Sequence, residues 1–172
     1  MSQLSWISFP ITQRPPAPVV ETVRVFSEAM SVISSEQGST ATLTGNEVLA
    51  IIATNLEAIG FLVERPGAPV TLPVLFGEGA RPRRSYRADA WWPEEGVVVE
   101  VEAGGARQNN RAILDIMKGM IWQDCKHLII AVKKSYGRHG QNDYDWLRAW
   151  VELIYASERF TVPMDTLTVV GY

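Results

Sequence analysis

The sequence predicts an α/β domain built on a mixed sheet, and three observations carry that prediction. A strand–turn–strand unit occupies residues 87–102, with Pro93-Glu94-Glu95-Gly96 supplying the Pro and Gly of its turn. Helix-period apolar patterns stand on either side of it, at residues 45–59 and 108–123. The run LIIAV at residues 128–132 then reads as a strand covered on both faces. Helix, strand, strand, strand, helix, strand is the resulting core order. Its antiparallel hairpin separates it from a regular βαβ alternation.

The elements follow in order. Residues 1–18 are Pro-rich and expected as an extended arm ahead of a single domain over residues 19–172. Val20, Val23, Phe26, Met30 and Ile33 have helical spacing, and residues 37–42 read as a linker. Thr44 and Glu47 form a capping-box pattern before the helix at 45–59, and Gly60 is its stop. A short strand at 61–65 leads into a Gly- and Pro-rich loop as far as Pro82, and Gly104-Gly105 ends the hairpin. In the helix at 108–123, Ile113, Ile116, Met117, Met120 and Ile121 gather on one side. Gln108, Arg111, Asp115 and Lys118 gather on the other. A polar loop at 135–143, an aromatic-rich helix at 144–157 and a last strand at 166–170 complete the chain.

Composition bounds the function. An apolar fraction of 47% with six Trp supplies a sizeable core, and 20% charged residues argues against disorder. The net charge of −3 gives no global attraction for nucleic acid, although a local basic patch can do that work. Cys125 is the single cysteine, which excludes an internal disulfide or a cysteine-rich zinc site and fits a reducing compartment. After an apolar helix it reads as a buried structural thiol. No apolar run reaches membrane-spanning length and the N-terminus lacks the signal-peptide plan, so a cytoplasmic protein without a membrane partner is expected.

The hairpin register carries the chemistry. A four-residue loop sets Trp92 opposite Val97, Asp89 opposite Glu100 and Arg87 opposite Glu102. Asp89, Glu100 and Glu102 then share one face, while Ala88, Ala90, Trp92, Val97, Val99 and Val101 make the other face apolar. Opposed like charges destabilise a sheet, so the cluster calls for a cation. A solvated acidic face partly neutralised by Arg87 is the alternative.

With that order and those acids, the chain resembles the PD-(D/E)XK nuclease superfamily, the restriction-endonuclease-like fold. Ala88-Asp89 and Glu100-Val101-Glu102 match its acidic residue and acid-x-lysine pattern, flanked by GFLVER before and by EAGGARQNNRAILDIMKG and HLIIAVKK after. The resemblance covers residues 44–134, with extra helices at both ends. Ala88 replaces the motif Pro, and Glu102 replaces the Lys that in the family orients or activates the attacking water. Some members carry Glu-x-Glu here, and others take the lysine from the following helix, where Lys118 is the candidate. The resemblance thus implies a Mg²⁺-dependent endodeoxyribonuclease.

Phosphodiester hydrolysis needs an activated water and neutralised charge, which a hard divalent cation supplies. Mg²⁺, with Mn²⁺ as substitute, prefers oxygen ligands and keeps several waters. Asp89, Glu100 and the Val101 carbonyl are the expected ligands. Glu102 is the expected general base, or a ligand of a second ion. Lys118 either contacts the scissile phosphate or pairs with Asp115 at i, i+3. Gln108, Asn109, Asn110 and Arg111 either touch nucleic acid or begin a helix. Arg81, Arg83, Arg84 and Arg87 form the densest basic patch, and Lys133, Lys134, Arg138 and His139 a second. Arg84, Arg87, Gln108 and Arg111 are the candidate nucleic-acid contacts. Glu47 is a cap or an acid near the metal, Trp91 a packed residue or a base-stacking platform. His127 and His139 are too isolated for a histidine metal site. A homodimer through the terminal helices is compatible with this reading. The competing readings are a catalytically inactive nuclease-fold module that binds nucleic acid or a protein partner, and a metal-binding domain unrelated to nucleic acid.

Overall fold

The structure, a computed structural model, describes residues 3–36, 43–135 and 142–172. It is mixed α/β. A six-stranded sheet has the order β1 (Ser5–Phe9), β8 (Thr166–Gly171), β7 (His127–Val132), β6 (Val97–Glu102), β5 (Ala90–Trp92) and β2 (Leu62–Val63). The central strands β6, β7 and β8 run parallel, and the outer pairings are antiparallel. Among the described residues four α-helices flank it: α1 (Ala17–Ile33), α2 (Gly45–Ala58), α3 (Arg111–Ile121) and α4 (Asp143–Ala156).

Alternation along each central strand feeds two cores. Ile129 and Ala131 of β7 pack with α1 and α2, whereas Leu128, Ile130 and Val132 pack with α3 and α4. That explains the unbroken apolar run, since neither face of β7 meets water. The expected capping box at α2 forms: Glu47 N–H donates to Thr44 Oγ1 at 3.3 Å and Thr44 N–H to Glu47 Oε2 at 2.7 Å.

Several expectations need correction. Part of the N-terminal stretch expected as an arm is β1, an edge strand whose partner is β8. The Gly- and Pro-rich loop contains a two-stranded ribbon, β3 (Val70–Phe76) with β4 (Pro82–Ala88), separate from the main sheet. The expected strand over residues 87–92 is therefore two strands, broken at Asp89. Arg87 lies opposite Thr71 of β3 instead of Glu102, and Ala88 belongs to the α3/α4 core. The apolar stripe of α3 is displaced as well. Ala112, Asp115, Ile116 and Gly119 are buried, while Leu114, Met117 and Ile121 are exposed. The small residues Ala112 and Gly119 let the helix lie close on the sheet. A Cβ on Gly119 would sit 3.0 Å from Leu128 Cδ2. Among the described residues, no helix is long and apolar enough to cross a membrane.

Candidate active site

The expected hairpin register holds from Trp92 to Ala90 and stops before the expected Asp89–Glu100 pair. Trp92 pairs with Val97, Trp91 with Val98 and Ala90 with Val99, so the chain reaches Asp89 just beyond the β5 ladder. There the side chain takes over from the backbone. Asp89 Oδ2 accepts the Val101 N–H at 2.7 Å, while the Asp89 carbonyl accepts the Glu64 N–H at 2.7 Å. The break at Asp89 is thus the point where the chain leaves the ribbon and enters the sheet, with its carboxyl anchored to β6.

A cleft of about 620 Å³ opens at the carboxyl end of β6. Asp89, Glu100, Glu102, Asp115 and Lys118 line it, with the Val101 backbone among them. Arg87, Gln108 and Arg111 stand on its walls, and Arg84 lies outside it on the ribbon. In open α/β sheets the carboxyl ends of strands are where ligands bind. Helix α2 contributes its first turn: a Cβ on Gly45 would sit 2.7 Å from the Val101 carbonyl oxygen. Only a glycine permits that approach without moving the carbonyl.

The acids are held against their own charge. Burial raises the Asp89 pKa to about 6, opposed by the Val101 hydrogen bond and reinforced by Glu64 and Asp115. Glu100 is 8% exposed, and burial together with Asp115 and Asp89 pushes its carboxyl well above the usual range. Burial raises Glu102 to about 7, with Asp115 adding to the shift and Arg111 opposing it. Asp115 is also raised by burial, against the pull of Lys118 and Arg111. Lys118 Nζ donates to Asp115 Oδ1 at 2.6 Å. Burial works against the Lys118 ammonium, but that bond and the charges of Asp115, Glu100 and Asp89 hold its pKa above the ordinary value. Asp89, Glu100, Glu102 and Asp115 thus face Lys118 and Arg111, while Arg87 on the wall is paired with Glu64.

Among the described residues, no group of three His, Cys, Asp or Glu side chains forms a metal cage. The oxygens that could serve as donors are the Asp89 and Glu100 carboxylates and the Val101 carbonyl, in a roomy cleft. That set fits Mg²⁺, which keeps several waters, and does not fit a closed structural site.

Other candidates resolve differently. Asp115, expected on the polar side of α3 and as an ion-pair partner of Lys118, is instead 4% exposed inside the cluster. Its signal was a carboxylate in the otherwise small and apolar stripe of α3. Glu47 is a helix cap, fully solvated, with its pKa lowered by the Thr44 hydrogen bonds. Trp91 is packed, its ring centroid 4.0 Å from that of Trp122 at an edge-on angle of 62°. Arg87 pairs with Glu64, so one guanidinium of the basic patch is already engaged. Cys125 is buried, its thiol pushed up to about 12, chiefly by burial. His127 Nδ1 lies 2.9 Å from Thr166 Oγ1 in the core. In the second basic patch, Lys133 Nζ donates to the Leu43 carbonyl and Lys134 pairs with Glu36. Arg138 and His139 lie outside the described residues.

No model of a known protein family matches the chain, and no curated protein shows significant similarity to it.

Proposed function

We propose that the protein is a metal-dependent nuclease of the restriction-endonuclease-like type, hydrolysing phosphodiester bonds of DNA. The observation that carries the reading is the convergence of Asp89, Glu100, the Val101 backbone, Glu102 and Lys118 on one cleft. The order α2, β2, β5, β6, α3, β7 supports it, since it is the core order the motif resemblance implies.

Asp89, Glu100 and the Val101 carbonyl would hold Mg²⁺, which when bound would polarise a phosphoryl oxygen and lower the pKa of a water so that a nearby base can take its proton. Glu102, with its pKa at about 7, is suited to take a proton from the attacking water at a carboxylate oxygen. Lys118 is an ammonium held charged among acids, and its remaining N–H groups can donate to the phosphate. Arg111 adds positive charge on the same wall. The Asp89 hydrogen bond to Val101 fixes the spacing of two ligands before any metal arrives.

One observation favours a second reading, the inactive binding module: Lys118 is already committed to Asp115 at 2.6 Å. Incubation with supercoiled plasmid separates the two. A nuclease nicks or linearises the plasmid with Mg²⁺ or Mn²⁺, does neither in EDTA, and loses the activity in Glu100→Gln. A plasmid left intact by the wild type with either metal favours the module.

A further inference from the structure

Resting on that proposed nuclease function, we propose that the β3–β4 ribbon is the duplex-docking element, and that it lies in the major groove of DNA beside the cut. The ribbon is separate from the main sheet, and its second strand ends at Ala88, one residue before Asp89. Its base is anchored. Val70, Leu72 and Ala88 enter the core beneath it, and Arg87 pairs with Glu64 at the cleft. Its distal half is solvated. Arg81, Arg83, Arg84, Leu75 and Phe76 are all exposed, the last two at 48% and 56%.

Three features point to a nucleic-acid groove as its occupant. The first is charge: residues 70–88 carry four arginines against one acid, Glu78, in a chain whose net charge is −3. Among the described residues Arg81, Arg83 and Arg84 form no ion pair, whereas Arg87, Arg107 and Lys134 do. The second is width. A major groove about 12 Å across admits a two-stranded ribbon, whereas the deep, narrow major groove of A-form RNA does not. The third is shape. The register slips twice, leaving Val74 on β3 and Arg83 on β4 without a cross-strand partner. Such bulges bend and twist a ribbon and re-aim its side chains, here at the arginines. Phe76 and Leu75 add apolar surface that suits thymine methyl groups.

The chain sets the reach. Arg83 precedes Asp89 by six residues, roughly 20 Å of strand at about 3.3 Å per residue. At about 3.4 Å per base pair, that contour length puts the ribbon's contact within about 6 base pairs of the scissile phosphate.

The test uses the full chain with Ca²⁺, following fluorescence anisotropy of a labelled 24-base-pair DNA duplex, the equivalent RNA duplex and single-stranded DNA. The wild type should prefer duplex DNA. Arg83→Ala/Arg84→Ala should keep the wild-type melting temperature but weaken duplex binding about 10- to 100-fold and shrink the salt slope by about 2. Methylation of guanine N7, a major-groove atom, should interfere with binding at a discrete patch. Equal affinity of wild type and double variant for duplex DNA, equal binding of the RNA duplex, or indifference to N7 methylation would each overturn the docking proposal. The nuclease reading fails separately: a wild type that binds duplex through the ribbon, yet never cuts with Mg²⁺ or Mn²⁺, leaves the ribbon assigned and the catalysis refuted.

Discussion

Asp89 Oδ2 and the Val101 backbone N–H are joined by a 2.7 Å hydrogen bond, so the side chain of one proposed ligand is tied to the residue that supplies another. The bond replaces the ladder contact that β5 would have made had it continued past Ala90. It lowers the pKa of a carboxyl that burial otherwise raises. Asp89→Asn should therefore keep the cleft nearly intact, because an amide oxygen still accepts the Val101 N–H. Removal of the acceptor in Asp89→Leu should cost stability of about 1–3 kcal/mol. Urea unfolding compares the two, and equal costs would show that the hydrogen bond does not hold the cleft.

The metal-free protein should lose stability as pH rises from about 4 to about 7. Asp89 and Glu102 have folded values of about 6 and about 7, against unfolded values of about 3.9 and 4.3. The native state thus binds more protons through that window, and stability falls with pH wherever it does so. Above both folded values these two acids add no further slope, whereas Glu100, pushed well above the usual range by burial, extends the fall to higher pH. His127, with its pKa lowered by burial, acts in the opposite sense. The difference between wild type and Glu102→Gln isolates the acid: the variant should gain stability relative to wild type as pH rises through about 7. A pH-independent difference in EDTA would contradict the assignment.

Lys118 has two separable roles. Lys118→Ala leaves Asp115 buried without its partner and should destabilise by about 1–3 kcal/mol. Asp115→Asn in the same chain should recover most of that. If Lys118 also meets the phosphate, plasmid cleavage stays lost in the double variant; recovery of cleavage together with stability would reduce the lysine to a structural partner.

Gly45 offers a test of the backbone ligand. Alanine normally gains up to about 1 kcal/mol over glycine within a helix. At this position its Cβ would sit 2.7 Å from the Val101 oxygen. Gly45→Ala should instead lose stability, and weaken Mg²⁺ binding measured by calorimetry. Unchanged affinity would remove the Val101 carbonyl from the ligand set.

Trp91 should prove structural. Its ring packs on Trp122, and Trp91→Ala should cost about 3–5 kcal/mol. Trp91→Phe should bind DNA as the wild type does. A selective loss of single-strand binding in a stably folded Trp91→Phe would restore the stacking role.

What was legible in the sequence was local. The capping box of α2, the Pro-Glu-Glu-Gly turn and the apolar run of β7 each rest on neighbouring residues, and each formed as expected. Turn length alone gave the register as far as Ala90 opposite Val99; the expected pairing of Asp89 with Glu100 is replaced by the Asp89 side-chain bond to the Val101 N–H. What failed depended on distant packing. Strand alternation cannot reveal that residues 82–88 belong to a different ribbon, because Arg87 and Asp89 keep the right period while their partners change at Asp89. Likewise, wheel periodicity put Met117 and Ile121 toward the core. The sheet instead selected the small residues Ala112 and Gly119, and brought Asp115 in between them. The sixth strand, β1, is set by a partner at the far end of the chain.

The central claim is that Asp89 and Glu100 hold a divalent cation, and the most direct test is metal-linked thermal stability. Wild type, Asp89→Asn and Glu100→Gln are melted in EDTA and in millimolar Mg²⁺ or Mn²⁺. The account predicts that metal raises the wild-type melting temperature, by about 2.7 kcal/mol of stabilisation at a hundredfold excess over Kd. It predicts no rise in either variant, and a Glu100→Gln protein more stable than wild type in EDTA because a buried like charge is gone. A wild type indifferent to both metals, or variants that respond as it does, would contradict the account.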